Sequence, residues 1–156
     1  MALHSTNKVF QLIKAEIEAN FDPGYTVHVK NMYKVPKEAW DKYFRQANTI
    51  MIIFDEETYE RESNETMAGT LDIVFFVIEQ IMAKSATKYD YLSDTFRDYL
   101  TEDGFGKRWT VLNTEFPDEK FEPFYPESKA LVEIMKGGLV RYEIAGHMDF
   151  EVYKHT

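Results

Sequence analysis

The stretch TLDIVFFVIEQ, Thr70 to Gln80, is apolar on both sides. Read as a strand, it turns Leu71, Ile73, Phe75 and Val77 to one face and Val74, Phe76 and Ile78 to the other. Period alone leaves short apolar runs ambiguous between helix and strand, but the Thr, Val, Ile and Phe enrichment and the flanking Gly69 favour the strand. Such a strand needs cover on both faces. Leaving Val74, Phe76 and Ile78 in water forgoes roughly 1.5–3 kcal/mol each, against a domain stability of about 5–15 kcal/mol. The sequence offers the aromatic stretch Phe105–Pro126, another internal element, or a second copy of the chain as that cover.

Upstream, TIMIIF (Thr49–Phe54) is β-branched and apolar, and reads as a strand that runs into the polar DEETYERESNE, a hairpin or longer loop. Downstream, VRYEIAGHMDFEVY gives the cleanest alternation in the chain. Val140, Tyr142, Ile144, Met148, Phe150 and Val152 share one phase, Gly146 takes the remaining apolar slot, and the unbroken phase predicts one long strand bent at that glycine. A further strand is predicted in YTVHVK, where Val27 and Val29 alternate with polar residues.

Three segments have helical spacing. Val9, Leu12, Ile13 and Ile17 lie on one face of a helix capped by Ser5, Thr6 or Asn7 and stopped by Asp22-Pro23-Gly24. A short helix opens near Pro36 and carries Trp40, Tyr43, Phe44 and Ala47. Leu92, Thr95, Phe96, Tyr99 and Leu100 make a third, with Gly104 as its stop. Residues from about 105 to 127 read as a long aromatic loop broken by Pro117, Pro123 and Pro126, with a short strand around RWTVLN, followed by a brief helix from Ser128 carrying Leu131, Ile134 and Met135. The expectation is a single α+β domain spanning residues 1–156, with a mainly antiparallel sheet and amphipathic helices packed on one face.

At 156 residues the chain is long enough for one sizeable core, and its 44% hydrophobic and 15% aromatic content is that of a folded protein. It contains no cysteine, which removes disulfides and thiolate chemistry. The first residues lack the apolar run of a signal peptide, and no stretch approaches the roughly 18 apolar residues of a membrane span, so a cytoplasmic protein without membrane association is expected. The net charge of −9 argues against tight nucleic-acid binding.

The residues that carry chemistry are scattered. His4, His28, His147 and His155 form no metal-ligand spacing and are expected at the surface. No phosphate-loop, dinucleotide or hydrolase-elbow motif occurs. The acidic run Asp55–Glu65 lacks the ligand order and glycine of a calcium loop and reads as solvated. Asp149, Glu151 and Lys154 lack the spacing of a metal-dependent nuclease, and alternation sets Lys154 on the opposite side. The expectation is a protein without catalytic residues, cofactor or metal.

The order of the segments NKVFQLIKAEIEANF, NTIMIIFDEE, TLDIVFFVIEQ, YLSDTFRDYL and GGLVRYEIAGHMDFEVY resembles that of the tail-terminator and tail-completion proteins of long-tailed bacteriophages and prophages. The resemblance covers most of the chain but rests on order and pattern. The aromatic helix after Pro36 and the length of the 105–126 segment depart from it. It implies a structural protein of the assembled virion and the host cytoplasm. Such a protein self-associates into a ring, commonly of six subunits, and contacts tail-tube and head–tail connector proteins without catalysis. A closing ring needs two different patches per subunit. Val74, Phe76, Ile78, Phe121, Phe124 and Tyr125 are the candidate interface residues. A small-molecule-binding α+β domain with an aromatic-lined pocket is the alternative.

Overall fold

A computed structural model describes residues 3–80 and 91–153. One five-stranded sheet runs through the molecule. Its strands are β1 (His28–Asn31), β2 (Thr49–Arg61), β3 (Thr66–Gln80), β4 (Glu119–Ile134) and β5 (Leu139–Tyr153), in the order β1-β2-β3-β5-β4. β1 runs parallel to β2 and every other pair is antiparallel. β3 is the central strand. Its predicted double-sided apolar character follows from that position, since it is paired along both edges and packed on both faces.

On one face, Leu71, Ile73, Phe75 and Val77 meet α1 (Thr6–Asn20), α3 (Leu92–Leu100) and α4 (Val111–Glu115). α1 buries Val9, Phe10, Ile13 and Ile17, and its N-cap is Ser5, whose hydroxyl accepts from the Lys8 N–H at 3.3 Å. α3 lays Phe96 against Phe75, ring centroids 5.2 Å apart. At the start of α3, the buried Glu79 of β3 accepts the Ser93 Oγ–H at 2.6 Å and the Ser93 N–H at 3.4 Å, so a strand carboxylate serves the helix's first turn.

The other face answers the question of cover. A 3-10 turn (Lys37–Ala39) and α2 (Asp41–Phe44) lie across Met51, Ile53, Phe76 and Ile78, and bring Trp40, Tyr43 and Phe44 onto them. The Trp40 ring is 6.0 Å from Phe76 with its plane at 84°, and its indole N–H donates to the Val35 carbonyl at 3.0 Å. The Arg141 guanidinium, on β5, stacks 4.7 Å from Phe44 and 4.8 Å from Phe76. The cover is therefore another internal element, and the helical segments lie on both faces of the sheet instead of one.

Residues 105–134 differ from the sequence reading. RWTVLN leads into α4, and the stretch read as a loop and then a helix is largely β4, a single 16-residue strand. The physical reason is three register shifts, at Phe121/Phe124, Pro126/Ser128 and Leu131/Glu133. Each bulge adds a residue and breaks the two-residue period, so Leu131, Ile134 and Met135 fall by chance on helical spacing. Pro123 and Pro126 are tolerated because β4 is an edge strand. β5 is one continuous strand through Gly146, as its phase predicts. A side chain at Gly146 has no room: a Cβ there would run into the Tyr125 carbonyl and come within 2.5 Å of Phe124 Cζ.

Candidate functional site

The most unusual chemistry lies where α1 begins. His4 is buried, not at the surface, and its ring stands edge-on to Phe150 at 4.7 Å and to Phe121 at 5.3 Å. Both ring nitrogens have carboxylate partners: Nδ1 is 2.6 Å from Glu119 Oε1 on β4, and Nε2 is 2.5 Å from Glu57 Oε1 on β2. Glu57 also accepts the Tyr59 hydroxyl proton and, at 3.4 Å, that of Thr6. Burial alone would drive the imidazole neutral. The hydrogen bonds to Glu119 and Glu57 and their negative charges outweigh it, raising the His4 pKa from 6.5 to about 9. Glu57 is likewise opposed by burial, yet the bonds from His4 and Tyr59 hold its carboxyl below the ordinary range. His4 is therefore an imidazolium at neutral pH, tying the chain ahead of α1 to two strands that are not neighbours in the sheet. Its cradle leaves no open coordination position, and no group of three or more His, Asp or Glu suited to a metal ion occurs among the described residues.

The part of the α2 side of the sheet that α2 leaves uncovered is open and acidic. Asp55, Glu56 and Glu60 on β2, Asp72 on β3, Glu122 and Glu127 on β4, and Asp149 and Glu151 on β5 lie along it. Asp149 accepts from the Thr70 hydroxyl at 2.8 Å, and His147 Nδ1 lies 2.5 Å from Glu127 Oε1. Partial burial, with Asp55, Glu127 and Glu56 nearby, raises the pKa of Asp72. The acidic run read as a solvated loop is mostly strand: β2 continues to Arg61, and the turn itself occupies only residues 62–65. Beyond Ile53 every residue of β2 but Glu57 is exposed, and β1 pairs only with Thr49–Ile52, so Phe54–Arg61 and the turn after it form an exposed acidic arm along the sheet edge, while β3 stays paired with β5 from Thr66 onward. Asp149 and Glu151 share this face, while Lys154 and His155 lie outside the described residues.

The six predicted interface residues separate. Phe121 and Phe124 are buried in the main core, Phe124 standing edge-on to Phe75 at 5.3 Å. Ile78 is fully buried and Phe76 is 9% exposed, both beneath α2, with Val74 half-buried beside them. Tyr125, 37% exposed on the edge strand near His147, presents the most surface of the six. Val74 and Phe76 line a groove of about 550 Å³ with Trp40, Phe44 and Arg141.

His4 was missed because its partners are 53 and 115 residues away, and only the fold joins them. One signal was present: Glu119 falls in phase with Phe121 on the inward side of β4, and a carboxylate in an apolar phase requires a partner. No helix among the described residues is long and apolar enough to cross a membrane. No protein-family model matches the chain, and no curated protein sequence matches it either.

Proposed function

We propose that this chain is a structural assembly protein of the tail-terminator or tail-completion kind, acting through shape and surface charge at the junction of a phage tail and head. The observation that carries the reading is the β2–β3 arm. From Phe54 to Arg61 the outer edge of β2 has no strand beside it among the described residues, and at the tip Glu60, Glu62 and Glu65 are exposed and form no ion pair among them. An exposed, unpaired strand edge suits a part that meets a neighbour.

The aromatics favour this reading over a ligand pocket. Phe75, Phe96, Trp109 and Phe124 pack on one another, with centroids 5.2–6.4 Å apart, instead of surrounding a cavity. The acidic open face has a use in a ring through which DNA passes, because such a wall does not grip phosphate. Six copies of an 18.4 kDa chain have a mass of about 110 kDa.

The test uses a self-polymerising tail-tube protein from the same genome, which the assembly reading expects to find there. The chain added to polymerising tubes is expected to sit at one tube end and stop growth, giving capped tubes in electron micrographs. Tubes that lengthen without limit, with the protein absent from their ends, refute the assignment.

A further inference from the structure

We propose that the acidic β2–β3 arm of one copy docks into a lysine-lined groove between α1 and β1 of the next copy. The contact rests on the assembly reading above and supplies the two different patches that a closed ring requires.

The groove has a volume of about 570 Å³. One wall is the α1 stripe Asn7, Gln11 and Lys14, and the other is β1 and the residues after it, with Lys30, Lys34 and Tyr43. Lys14 is matched by Glu18 at 3.0 Å. Lys30 and Lys34 have no carboxylate partner among the described residues; Lys30 reaches only the Tyr43 ring, 5.9 Å from its centroid. The surrounding segment 28–48 has five basic residues and two acidic ones in a chain whose net charge is −9.

The arm has the opposite composition. Glu60, Glu62 and Glu65 are exposed near its tip and form no ion pair among the described residues, and Arg61 is engaged locally with Asn64 and the Ser63 carbonyl. One molecule thus carries a groove with unpaired lysines along β1, an edge of the sheet, and unpaired carboxylates at the tip of the β2–β3 hairpin. A nucleic acid in the groove would face repulsion from the rest of the molecule. A second copy brings matching charge, and because the two patches differ, the contact propagates head to tail.

The experiment measures mass by light scattering for the full chain and three variants: Lys30→Glu/Lys34→Glu, Glu60→Lys/Glu62→Lys, and all four reversals together. Circular dichroism verifies each fold. Lys34→Glu and Glu62→Lys, both at exposed positions, replace the double variants if either fails to fold. The wild type is expected to associate at about 50 mM salt and dissociate at about 500 mM. Each one-sided reversal weakens association by about tenfold or more, and the four-residue swap restores it.

Association that the one-sided reversals leave unchanged, or that the swap does not recover, overturns the contact but leaves the assembly reading standing. A wild type that remains monomeric at both salt concentrations also overturns the contact. Tube capping then judges the assembly reading separately.

Discussion

His4 gives the sharpest quantitative prediction. Its pKa is 6.5 in the unfolded chain and about 9 in the folded one. At roughly 1.4 kcal/mol per pH unit, that difference links to about 3 kcal/mol of folding stability. The sign follows from a cationic group whose folded pKa is raised. The contribution is complete below about pH 6.5, declines as the pH rises toward 9, and is gone above it. Glu57 works in the other direction, because its pKa is lowered on folding: its contribution is complete above about 4.5 and is lost as the pH falls. The network is therefore most stabilising between about pH 4.5 and 6.5.

Two measurements test this. Ring-proton NMR follows the titration of His4, and urea unfolding near pH 6 and near pH 9.5 gives the stability difference. The reference is the neutral triple variant His4→Gln/Glu57→Gln/Glu119→Gln, in which the other tyrosines and lysines still titrate. The wild type is expected to lose about 3 kcal/mol more than the reference between the two pH values. A His4 titration near 6.5, or equal losses in both proteins, refutes the buried imidazolium.

Phe76→Ala is expected to cost about 3 kcal/mol in urea unfolding, because Trp40, Phe44 and Arg141 lose the ring they pack on. A change below about 0.5 kcal/mol would mean that α2 does not cover the sheet. Gly146→Ala should cost about 2 kcal/mol, since the Tyr125 carbonyl it would strike is held in β4 and cannot rotate away as a side chain could. An unchanged melting temperature would show that β4 and β5 pass less closely there.

Much of the fold was legible because burial imposes a period. The two apolar phases of β3, the single phase of β5 and the i, i+3, i+4 spacing of α1 and α3 each report how many faces of an element are covered. Legibility failed where local geometry breaks the period, as at the three bulges of β4, and where a partner is distant in sequence. The clearest case is His4: a histidine near a helix cap gives no hint of carboxylates on β2 and β4 until the sheet brings them to 2.5 and 2.6 Å.

By itself the sequence determined the class of fold and the need of Thr70–Gln80 for cover on both faces, because side-chain period and transfer free energy act locally along the chain. Only the tertiary structure decided that Trp40, Tyr43 and Phe44 supply the second cover, that His4 is held as a buried cation, and that the lysines and carboxylates lie on separate surfaces. Those outcomes depend on which distant residues share a neighbourhood, and distance in space is set by strand order and register, which no local pattern encodes.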